Sequence, residues 1–240
     1  MWIKSFFKSV ILFFLFISIV SCGQNPGRSG EGLKKKNFDI KSIAKSDIDI
    51  VLDIHVIEAR EYLRELMSKL YKRNPKELMK SEYQIEQENI IRLFDLNHDW
   101  NFTELGGKKG VDAIYLTFDN TYSGDRVFSF ITGLTSMVMA SYEFNTDFYL
   151  FDSVDPQKLY NSARNIEIAV WKLEHNLDMQ GELFLLSNSL PGEVVNLSFE
   201  RLFGKLIATQ DNIAIIIAGK TNRVIKEVIQ RMATAVFLPI

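Results

Sequence analysis

Cysteine is nearly missing from this chain. The single one, Cys22, excludes any intrachain disulfide. An excess of charge of either sign is missing too: 28 basic and 30 acidic residues leave a formal charge of −2. Nucleic-acid binders carry a strong basic surplus, so no nucleic-acid partner is expected. Alternation of the β-period is scarce, with no such segment longer than about five residues. Catalytic signatures are lacking as well. No Gly-x-Ser-x-Gly elbow occurs, and no cysteine is left over for a nucleophilic pair. Gly219-Lys220-Thr221 has the ending of a phosphate-binding loop. Ala214 stands where its first glycine is required, and a helical pattern precedes it instead of a strand.

What is present suits a packed domain. The 240 residues are 47% hydrophobic and 12% aromatic, which excludes disorder for the body of the chain. The first residues, MWIKSFFK, carry two lysines and no acid, and Val10–Val20 is apolar apart from Ser18. A positive start, a short apolar run and a small residue at the end make a secretory signal. The run falls short of the roughly 17–25 residues of a membrane span.

Ile19-Val20-Ser21-Cys22 resembles the lipobox of bacterial lipoproteins, with Ile19 in place of the commoner leucine. The resemblance implies that the Cys22 sulfur receives diacylglycerol, that residues 1–21 are removed, and that the new amino group is acylated with a palmitate-type chain. It also implies that Gly23, where an inner-membrane protein has aspartate, directs the product to the periplasmic face of the outer membrane. The membrane is then a partner through the lipid on Cys22. Residues 22–36 form the lipidated cysteine and a Gly-rich polar tether with a typical reach of roughly 20 Å. Lys34, Lys35 and Lys36 close it, as a solvated run or a touch on anionic headgroups.

Residues 37–240 predict one all-α domain, a compact bundle of six or seven helices. Apolar positions 48, 52, 55, 59, 62, 63, 66 and 70 share one helix face, with a Ser46/Asp49 capping pattern before them and Asn74-Pro75 after. Further helices are expected over about 81–95, 111–118 and 127–142. The last is a buried core helix whose Ser129, Gly133, Ser136 and Ala140 admit a close neighbour. Asp155-Pro156 starts the most regular pattern, Leu159 to Leu177 in steps of three and four. An irregular link over 183–197 follows, then a helix from Ser198 to about Ala218 that Gly219 ends. Thr221 is expected to cap a last helix burying Val224, Ile225, Val228, Met232 and Val236. The apolar end, 233–240, is expected to pack into the body or a partner.

Four candidate positions emerge. Tyr160, Arg164, Glu167 and Trp171 make a second stripe on the Leu159–Leu177 helix. They line a groove for a small polar ligand, or form an i,i+3 ion pair over a packed aromatic edge. His55 and Glu58 share a face in the order opposite to the Glu-x-x-His of di-metal bundles, with no second copy, so His55 reads as a core histidine. His98-Asp99 reads as a loop turn, and His175 as a cation near a helix C-terminus. No metal or cofactor set results, and no enzyme is indicated. Two stretches, residues 152–165 and 185–193, are similar to uncharacterised proteobacterial lipoproteins, which implies a shared helical fold and no activity. The expectation is an envelope lipoprotein with a non-catalytic domain that binds an envelope protein or stabilises an envelope assembly. The rival is a periplasmic enzyme or small-ligand binder using the Tyr160–Trp171 stripe.

Overall fold

Ser46 begins the first helix through a reciprocal cap: its hydroxyl accepts from the Asp49 N–H at 3.4 Å, and the Asp49 carboxylate accepts from the Ser46 N–H at 2.7 Å. The computed structural model describes residues 45–149, 152–189, 192–228 and 234–240. The expected signal, lipidation site and tether lie outside the described residues.

Helix α1, Asp47–Arg73, buries Leu52, Val56, Ala59, Leu63, Leu66, Met67 and Leu70 along one face. The one-turn α2, Pro75–Leu78, follows Asn74 directly. Helix α3 spans Glu86–Phe94 and starts later than the expected 81. Gln84 adopts the left-handed conformation, φ 52°, and Ser81 turns its hydroxyl to Asn89 Oδ1 at 2.7 Å, so the chain enters the helix only after a turn. A 3₁₀ turn, Thr103–Leu105, interrupts the polar loop. Helices α4, Gly110–Thr117, and α5, Arg126–Ser141, then pack side by side.

Helix α5 is central, with every residue from Arg126 to Met139 buried. Its small residues admit α4 as expected. Ser129 donates to the Ala113 carbonyl at 2.8 Å, and Ser136 Oγ accepts from the Gly110 N–H at 2.7 Å. Between them, a Cβ on Gly133 would lie 2.8 Å from the Gly110 carbonyl oxygen and from the Ile114 nitrogen. Backbone cannot yield there as a side chain can, so glycine is the residue that lets the helices meet.

Helix α6, Pro156–His175, starts on Pro156 behind Asp155, whose Oδ1 accepts from the Gln157 N–H at 2.9 Å. Helix α7, Ser198–Thr221, packs against both α6 and α1. It is long and apolar enough to cross a membrane by length and composition, yet half of its apolar window is buried inside the bundle. Among the described residues there are seven α-helices and no strand, only an isolated bridge between Leu177 and Leu183. The fold is an all-α bundle.

Two expectations near the C-terminus need correction. Helix α7 does not stop at Gly219 but runs through it, and the chain reverses at Asn222, φ 52°. Asparagine tolerates the left-handed conformation, so it serves as the helix stop in place of the glycine. Thr221 therefore caps no further helix. Among the described residues 222–228 and 234–240 contain no α-helix, and Val224 and Val236 are exposed rather than buried. Val228 is also exposed, Ile225 packs partly on the core, and Met232 lies outside the described residues. A row of amides on α6 explains the outcome. Gln157, Asn161 and Asn165 stand one turn apart and grip non-helical backbone. Asn165 accepts from the Leu238 N–H at 2.6 Å and donates to its carbonyl at 2.8 Å. Asn161 donates to the Pro239 carbonyl at 2.8 Å, and Gln157 binds the Lys226 N–H and carbonyl at 2.7 and 3.1 Å. The apolar end does pack into the body, with Phe237 edge-on to Tyr115 at 5.2 Å.

Candidate functional site

The expected ligand stripe on α6 is brought together only in part. Tyr160, Arg164 and Glu167 follow one another by helical turns. The Arg164 guanidinium lies over the Tyr160 ring at 5.2 Å and bonds Glu167 at 3.1 Å. A third member comes from α7: Asp211 accepts from Arg164 at 2.6 Å. Burial pushes the Glu167 and Asp211 carboxyls above their ordinary range, against the pull of the Arg164 charge. The Tyr160 hydroxyl accepts from the Val228 N–H at 3.3 Å. Trp171 stands apart and stacks flat on His175, centroids 4.6 Å apart. The set ties α6 to α7, and its cation already has two carboxylate partners.

The other histidines hold backbone. His55 Nδ1 lies 3.3 Å from the Thr209 carbonyl oxygen, which joins α1 to α7, while Glu58 is exposed. His98 Nε2 lies 2.8 Å from the Leu93 carbonyl, its Nδ1 accepts from the Trp100 N–H at 3.3 Å, and Asp99 accepts from the Asn101 N–H at 3.0 Å. Both ring nitrogens are thereby spent on closing the turn. Among the described residues no three metal-capable side chains cluster.

An open cleft of about 700 Å³ lies between the end of α1, α2 and residues 178–186. Its charged lining includes Arg73, Lys80, Arg126 and Glu77. These charges are committed to the fold. Glu77 accepts from the Arg126 N–H at 2.9 Å and pairs with Lys80 at 2.6 Å. The Arg126 guanidinium donates to the carbonyls of Thr117, Asp119 and Tyr122 at 2.5, 2.9 and 2.7 Å. Beneath them Tyr71 donates to Asp125 Oδ2 at 2.6 Å, while Asp125 Oδ1 caps α5 through the Phe128 N–H at 3.0 Å. Burial raises the Asp125 carboxyl to about 6, with the Tyr71 and Phe128 bonds pulling the other way.

No protein-family model, curated protein or solved structure matches the chain.

One surface was not singled out from the sequence. On α1, Ile50, Ile54 and Ile57 are 41, 51 and 53% exposed, on the side opposite the buried row Leu52, Val56, Ala59 and Leu63. Single exposed apolar residues are ordinary; three at i, i+4 and i+7 form a ridge. Its signal was present as a second apolar phase within the helix, hidden beneath the stronger core phase. Farther along α1, Glu61 and Glu65 border an open cleft of about 400 Å³ whose other wall includes Glu86 and Gln87 of α3.

Proposed function

We propose that this chain is a lipid-anchored envelope lipoprotein whose helical domain is a non-catalytic partner-binding or assembly module. The observation that carries the partner-binding part is the exposed isoleucine ridge of α1. The anchoring part rests on the lipobox-like Ile19-Val20-Ser21-Cys22 at the end of a secretory signal. Attachment through two or three acyl chains holds a protein firmly, because each buried CH₂ contributes about 0.8 kcal/mol. A tether then gives the domain freedom to meet a neighbour in the envelope.

The small-ligand alternative at Tyr160, Arg164, Glu167 and Trp171 is less well supported. An anionic ligand would have to displace Glu167 or Asp211 from Arg164, and a cationic one would have to displace Arg164 itself.

The test is in-cell crosslinking of the tagged, full-length protein, followed by mass spectrometry, with the wild type and an Ile54→Glu variant side by side. One reproducible envelope protein carried by the wild type and lost from the variant is expected. A small molecule carried without protein, or equal protein yields from both, contradicts the reading.

A further inference from the structure

Resting on the partner-binding reading, we infer that the outward face of α1 docks a basic amphipathic helix of another protein, its apolar ridge against Ile50, Ile54 and Ile57 and its cations against Glu58, Glu61 and Glu65.

The ridge has the spacing by which one helix face reads another, i, i+4 and i+7, over about 10 Å of helix. Its surroundings are acidic. Asp47 and Glu58 are exposed beside it, and Glu61 and Glu65 occupy the next two turns on the same side. Across the small cleft, α3 adds Glu86. Of the two arginines on that stretch, Arg60 donates to the Phe94 carbonyl, and Arg64 pairs with Asp95 at 2.5 Å while lying 3.5 Å from Glu61, whose side chain stays largely exposed. Lys69 and Lys72 reach Glu65 and Glu86 only at 3.8 and 3.9 Å, in long pairs with one member of each exposed, and such pairs contribute little.

That charge pattern selects among occupants. In a second copy of the chain, an antiparallel pairing centred on Ile54 would set Asp47 of one against Glu61 of the other, acid on acid. An anionic bilayer surface would meet the same repulsion. A helix with three apolar anchors followed by lysines or arginines satisfies both halves of the face. Complementary charge of this kind fixes register and speeds encounter, while the buried anchors supply most of the affinity.

The experiment places a photo-crosslinking amino acid at Ile54, at Ile57, and at the control position Val194 in the full-length lipidated protein in its own cells. Val194 is 92% exposed and follows Glu193, which pairs with Arg73 at the far end of α1. Adducts from positions 54 and 57, and not 194, should map to one protein segment with helically spaced apolar residues and a net positive charge. A Glu58→Lys, Glu61→Lys double variant should cut their yield about tenfold or more at an unchanged melting temperature. Undiminished yield in that variant overturns the inference. So do adducts confined to lipid, to a second copy, or to residues 23–44 of the same chain. Adducts to a neutral or acidic protein segment overturn the basic-helix inference and leave the accessory-module reading standing. No protein adduct at all, with no protein carried in whole-chain crosslinking, removes both.

Discussion

Asp125 holds three structures at once: it caps α5, receives the Tyr71 hydroxyl, and sits under the Glu77–Arg126 contact. Its carboxyl titrates near 6, against 3.8 in the open chain. Between those values the folded state binds the proton and the unfolded state does not. The stabilising contribution is therefore complete below about 4 and is lost as pH rises through about 6, an effect worth roughly 3 kcal/mol. Urea unfolding at several pH values should show the wild type losing stability relative to Asp125→Asn between pH 4 and 7. Parallel pH profiles would contradict the assignment. At this scale much was legible. Ser46, Asp49, Asp155 and Pro156 occupy the capping positions that their order in the chain predicts. Ser129, Gly133 and Ser136 were readable as small, though not which helix they admit. The Tyr71–Asp125 contact spans 54 residues and leaves no local trace. In the Tyr160–Trp171 stripe, Asp211 was the missing member for the same reason, since it arrives from another helix.

Among the elements, legibility followed the strength of the hydrophobic period. The faces of α1 and α6 repeat over four or more turns and fold where expected, except that α6 ends at His175 and leaves Leu177 exposed; α5 is legible instead as a continuous apolar run, buried on all sides. The end of α7 and the tail did not, and both failures have one cause: polar side chains decide there. Asn222 supplies the left-handed turn, and the amide row of α6 holds the tail in a form that apolar spacing cannot foretell. Asn74 does likewise for the irregular link, binding the Leu186 N–H and carbonyl at 2.7 and 2.8 Å. Replacing Asn165 by leucine removes both bonds to Leu238 and leaves its half-buried N–H and carbonyl unpaired, at about 1–2 kcal/mol. Hydrogen exchange should then show residues 234–240 losing protection while α1 and α5 retain theirs. Unchanged protection at Leu238 would mean that the amide grip does not hold the tail.

At the scale of the whole molecule, the bundle of seven helices among the described residues presents a core-facing and an outward-facing apolar row on the same long helix. The first builds the fold. The second has no partner within the described residues, and its acidic border specifies the kind of neighbour that fits. A domain of this type gains most if it is held near that neighbour, since confinement on a tether raises the effective concentration of the site. The proposed function therefore depends on the anchor. The most direct measurement is the intact mass of the protein purified from its own membranes, with the N-terminal peptide sequenced by fragmentation. The expected result is a chain beginning at Cys22 and carrying diacylglycerol plus an amide-linked acyl chain, and a Cys22→Ala variant that is unprocessed or released. A chain that begins elsewhere, or a bare cysteine on a protein still bound to membranes, would contradict it.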